Sequence, residues 1–134
     1  MDKVLLRPDR QRQLPRQFSW LDQRLVRQRY LEQASSESWL LYLFLLSVAD
    51  AQGLSFYAER TLCERLRLNA EQLAAARGQL LNLELIAYRR PLYQVLALSP
   101  TPPWSSSSAV RPEPGQLAHH LQQLRQALRR HGGA

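Results

Sequence analysis

Eight consecutive apolar residues, Trp39-Leu40-Leu41-Tyr42-Leu43-Phe44-Leu45-Leu46, follow directly on three serines, Ser35, Ser36 and Ser38. The run is much shorter than the roughly 20 residues that a membrane helix needs. Serine is a strong N-cap, so the pattern predicts a helix from about Glu37 to Ala51. Apolar residues all round it imply burial on several faces, the property of a central core helix. Gly53 is placed to end that helix, because glycine accepts the left-handed conformation. The rest of the chain has to be arranged around this helix.

Upstream, residues 1–17 are polar, rich in arginine and broken by Pro8 and Pro15, which reads as an extended arm. Ser19 then resembles an N-cap, with Asp22 three residues on at the capping-box position. A helix is expected from there to about Leu31, with Trp20, Leu21, Leu25 and Tyr30 facing inward.

Downstream, Leu54-Ser55-Phe56 is a short alternating stretch that fits a small strand. A helix is expected from about Ala58 to Leu66, with Leu62, Cys63 and Leu66 inside. Arg67 and Leu68 form a turn. Asn69 caps a further helix reaching about Leu83, with Gln72 completing a capping box. Leu73, Ala76, Leu80 and Leu83 form its apolar stripe. Leu85 to Tyr88 and Tyr93 to Leu98 read as two strands joined by a tight turn at Arg89-Arg90-Pro91. Residues 99–115 are rich in proline and serine and read as a linker. A last helix is expected over residues 116–134. Its Leu117, Leu121, Leu124 and Leu128 are spaced like a coiled-coil seam, though over only two heptads.

The chain thus divides into an arm (1–17), a compact domain (18–98), a linker and a C-terminal amphipathic helix. The fold class is mainly α with a small β-hairpin. The order of buried helix, helix–turn–helix and two-stranded hairpin is that of a winged helix-turn-helix, whose second paired helix enters a major groove while the wing touches neighbouring backbone. The same order occurs in protein-interaction modules.

Three stretches carry a resemblance to a known group. They are Phe18-Ser19-Trp20-Leu21-Asp22, the run from Leu43 through Ala51-Gln52-Gly53 to Tyr57, and Leu85-Ile86-Ala87-Tyr88 with Pro91-Leu92-Tyr93-Gln94-Val95-Leu96. Together they resemble small bacterial winged helix-turn-helix proteins associated with mobile elements, similar to the winged-helix domains of replication initiators and replisome organisers. The resemblance spans roughly residues 1–98. It implies an accessory DNA-binding role in transposition or replication.

Charge points to the same class of partner. The net charge is +7, and 17 of the 18 cations are arginine. Residues 35–99 hold six arginines and six acids, so the excess lies in the flanks. Arginine binds phosphate bidentately, and each phosphate contact releases a counterion. The expected partner is double-stranded DNA.

On the helix after Asn69, Gln72, Arg77, Gln79 and Asn82 are the side chains able to pair with base edges. Arg67, Arg89 and Arg90 are placed to contact phosphate. In the arm, Arg7, Arg10, Arg12 and Arg16 suit phosphate or a minor groove. Ala74, Ala75 and Gly78 form a small face on the same helix. Glycine there costs about 1 kcal/mol against alanine, which a close partner would offset. That face and the Leu117–Leu128 seam are the candidate protein-interaction surfaces, for a homodimer or a partner protein.

Little suggests catalysis. Asp2, Asp9, Asp22 and Asp50 are scattered, and no phosphate-binding glycine loop is present. His119, His120 and His131 lack zinc-ligand spacing. Cys63 reads as a packed thiol, with no histidine in the domain to activate it. No enzyme activity, cofactor or metal is expected. With a single cysteine, and no apolar segment suited to a signal or a membrane span, a cytoplasmic, nucleoid-associated location is expected.

Overall fold

In a computed structural model, residues 2–105 are described. They are mainly helical, with one small antiparallel sheet. The elements are α1 (Arg24–Arg27), α2 (Ser36–Val48), β1 (Leu54–Phe56), α3 (Glu59–Leu66), α4 (Ala70–Asn82), β2 (Ile86–Arg89) and β3 (Leu92–Val95). Short 3-10 turns lie at Pro8–Arg10 and Tyr30–Gln33. No helix among the described residues is long and apolar enough to cross a membrane.

The helix expected from Ser19 is a correction. Only Arg24–Arg27 is α-helical, and Trp20 and Leu21 are 73% and 58% exposed. Asp22 explains the late start. Its Oδ1 accepts the Arg24 backbone N–H at 2.9 Å, while its carboxylate takes the Arg24 guanidinium at 2.7 Å. A side chain that bonds its own neighbouring backbone competes with helix continuation. Arg29, at φ 61°, ends the helix in the left-handed region. Leu25 and Tyr30 are buried as expected.

The serine cap is formed at Ser35, whose side chain accepts from the Ser38 backbone N–H, and α2 runs from there as the central helix. Leu41, Tyr42 and Leu45 are buried, but Leu43 is 60% exposed and Leu40 is exposed too, so one face is uncovered. The helix also ends at Val48, short of Ala51. Gly53 serves the following turn instead. It has φ +86°, its N–H donates to the Asp50 carbonyl, and a Cβ there would meet the Val95 carbonyl oxygen at 2.6 Å.

The helix pair α3–α4 matches the sequence expectation closely. Arg67 adopts the left-handed conformation that turns the chain between the two helices. Asn69 and Gln72 form the full capping box at the start of α4. Leu73, Ala76, Leu80 and Leu83 are buried, and α4 packs against both α2 and α3.

The sheet order is β1-β3-β2, all antiparallel. The two C-terminal strands form a hairpin whose register pairs Tyr88 with Tyr93 and Arg89 with Leu92. β2 is shifted by one residue from the expected Leu85–Tyr88, which puts Arg89 in the strand and not the turn, and β3 is shorter than expected, running from Leu92 to Val95 and not from Tyr93 to Leu98. β1 adds a third strand on β3, with Ser55 opposite Tyr93. The core lies between α2, α4 and the inner face of this sheet, where Ile86 and Tyr93 are buried together with Leu85 just before β2.

Candidate nucleic-acid interface

The residues expected to contact DNA separate into two groups. The first has turned inward. Arg77 is 7% exposed, so its expected place on the accessible face of α4 is corrected. Its Nη2 meets Glu59 Oε1 at 2.6 Å, and its Nη1 donates to the same oxygen at 3.0 Å and to Tyr93 Oη at 3.3 Å. The guanidinium also lies 4.4 Å from the centre of the Tyr88 ring. Burial alone drives the Arg77 pKa down, but Tyr93, Tyr88 and Glu59 outweigh it and leave it raised. Burial pushes the Tyr93 phenol up, against the opposing pull of Arg77.

Gln79 is likewise engaged. Its Oε1 accepts from the Ser35 backbone N–H and from the Ser38 hydroxyl, both at 2.7 Å. Ser38 is fully buried and also reaches the Ala76 carbonyl at 3.3 Å. Gln79 therefore ties α4 to the first turn of α2, and its acceptor is not free for a base edge. Nothing in the helical period of α4 singles out either residue as internal. Both lie beside the leucine stripe, and only the arrival of Glu59, Tyr93 and Ser38 from other elements turns them in.

The second group is exposed. Arg89 and Arg90 stand at the tip of the β2–β3 hairpin, and neither side chain has an ion pair or hydrogen bond among the described residues. Arg67 is also exposed, at the turn between α3 and α4. In the arm, Arg10, Arg12 and Arg16 are exposed without ion pairs among the described residues, whereas Arg7 pairs with Asp9 at 2.9 Å. On α4, Gln72 and Asn82 are exposed, with Gln72 Oε1 held by the Asn69 backbone N–H at 3.0 Å.

Between Gln72 and Asn82, the outward surface of α4 is Ala74, Ala75, Gly78 and Leu81. It bears no cation. A Cβ at Gly78 would meet nothing within 4 Å, so no neighbour in this fold requires the glycine. Of the other candidates, Cys63 is a free, partly buried thiol. No group of three metal-ligating side chains occurs among the described residues. The leucines Leu117, Leu121, Leu124 and Leu128, and the histidines beside them, lie outside the described residues.

No protein-family model, curated protein or solved structure matches the chain.

Proposed function

We propose that residues 18–98 form a winged helix-turn-helix domain and that the protein binds duplex DNA, as an accessory protein of a mobile element in transposition or replication. The order α2, β1, α3, α4, β2, β3 with sheet order β1-β3-β2 supports the fold reading. The observation that carries the function is at the hairpin tip. Arg89 and Arg90 are exposed there with no ion pair or hydrogen bond among the described residues, while the cation of α4 is consumed inside the domain. A cation without an internal partner is available to phosphate.

In this arrangement the wing tip and the arm arginines hold the DNA backbone. The small face of α4 allows the helix to approach the groove wall closely. Only Gln72 and Asn82 bring amide groups to that face, so sequence discrimination is modest and affinity is dominated by phosphate contacts. The test is an anisotropy titration of duplexes of unrelated sequence across a range of salt. Changing Arg89 and Arg90 together to serine should weaken binding to every duplex alike. It should also lower the salt slope by about two, since each lost phosphate contact removes about 0.9. Absence of duplex binding by the unaltered protein at low salt overturns the reading.

A second reading is a protein–protein adaptor within a recombination or replication complex. It is favoured by one observation, the outward face of α4, which has Glu71 and no cation and exposes Leu81. Substituting Ala75 by glutamate distinguishes the two. Loss of a partner complex or dimer in light scattering, with DNA affinity unchanged, supports the adaptor.

A further inference from the structure

We infer that the segment around Phe18 and Trp20 is a stacking platform for single-stranded nucleic acid, separate from the hairpin tip. This deepens the nucleic-acid reading above and rests on it for the class of partner.

Every residue from Asp2 to Leu21 is exposed. Within that stretch, Phe18 is 59% and Trp20 is 73% exposed. Aromatic rings normally contribute to folding through burial, so two open rings in succession are available to something outside the fold. Neither is in contact with another aromatic ring or a cation among the described residues. Both line a half-open cavity of about 410 Å³ that is also lined by Tyr42, Leu46 and residues 95–98. That volume suits a single planar group.

The electrostatics choose the occupant. Arg12 and Arg16 are exposed with no ion pair among the described residues, and Arg16 shares a second recess with Phe18 beside Ser47. The cavity itself is also lined by Asp22, Asp50 and Arg24, so the phosphates belong on its Arg16 side and only a base enters it. Asp22 is held by the Arg24 guanidinium, and Asp50 Oδ1 accepts the Gln52 and Leu54 backbone N–H groups at 2.8 and 2.9 Å. A guanidinium in the recess next to an open ring matches a phosphate bearing a planar base. A duplex hides the faces of its bases, whereas a single strand presents them. The platform also lies apart from the wing. β3 runs from Leu92 at the hairpin tip to Val95 at the cavity, so the two sites stand at opposite ends of one strand.

The full chain is titrated with labelled oligo-dT and with a duplex of matched length, by anisotropy and by quenching of indole fluorescence. Trp20→Ala should weaken oligo-dT binding about tenfold or more while leaving duplex binding within about twofold, and Trp20→Phe should restore most of the loss. Arg12→Ser with Arg16→Ser should weaken oligo-dT binding without touching the aromatic pair. Unchanged oligo-dT affinity in Trp20→Ala overturns the inference. So does Trp20-dependent binding to phosphatidylserine vesicles in the absence of oligo-dT binding. If the protein binds oligo-dT through Trp20 but no duplex, the winged-helix DNA reading fails and the platform stands.

Discussion

Arg77 of α4 and Glu59 of α3 meet at 2.6 Å, with Arg77 almost wholly enclosed and Glu59 about half exposed. The same guanidinium reaches Tyr93 and covers Tyr88, the directly opposed pair of the hairpin. Four elements are thus joined through one cation. It fixes how the hairpin sits against α4, and therefore how Arg89 and Arg90 stand relative to the outward face of that helix.

The asymmetry of burial sets the expected cost of breaking this pair. Glu59→Ala leaves a buried cation with only a hydroxyl and a ring face, and should cost about 2–3 kcal/mol, below the usual figure for a fully buried pair because Glu59 is half solvated. Arg77→Met frees a carboxylate that water can reach and keeps an apolar stem. It should cost less, about 1–2 kcal/mol. Urea unfolding of both variants checks the order, and a larger loss for Arg77→Met contradicts it.

Gly78→Ala should stabilise the protein by up to about 1 kcal/mol, since the site has helical geometry and open space for the methyl group. The midpoint of thermal unfolding reads this directly. If the same variant binds its partner less well, the glycine serves close approach to that partner and not the fold.

Gly53→Ala should go the other way. The position combines φ +86° with a Cβ that would stand 2.6 Å from the Val95 carbonyl oxygen. That oxygen belongs to the sheet, so relief requires backbone movement. A loss of at least about 2 kcal/mol is expected, from left-handed strain together with displacement of β3. An alanine variant of unchanged stability would contradict this account of the turn.

Alkali should unfold the domain through Tyr42. Burial, aided by Asp22 and Tyr30, pushes its phenol from the ordinary 10.0 up to about 12. The unfolded chain therefore releases this proton first. The contribution to stability is fully present below pH 10 and is lost between pH 10 and about 12. Its size is on the order of 2–3 kcal/mol at one pKa unit per 1.36 kcal/mol. Tyr42→Phe should flatten the loss of stability measured over that range.

Local chemistry along the chain determined a large part of this molecule. The capping box at Asn69 and Gln72, the Ser35 cap, the leucine stripe of α4 and the hairpin turn before Pro91 each depend on residues within a few positions of one another. These patterns led to the helix pair, the hairpin and the exposed arginines at its tip, whereas the equally local pattern of Ser19 and Asp22 did not start a helix. Other features depended on partners distant in sequence. Arg77 and Gln79 look like surface residues until Glu59, 18 positions away, and Ser35, 44 positions away, are brought against them. Trp20 and Leu21 are expected on a helix, yet the helix begins only after Asp22, and among the described residues both side chains stay exposed. The eight-residue apolar run specified a central helix but not which of its faces would be left uncovered. Periodicity states which side of an element is apolar. Only packing decides whether a polar residue at the boundary finds an internal partner, and whether an apolar one finds a cover.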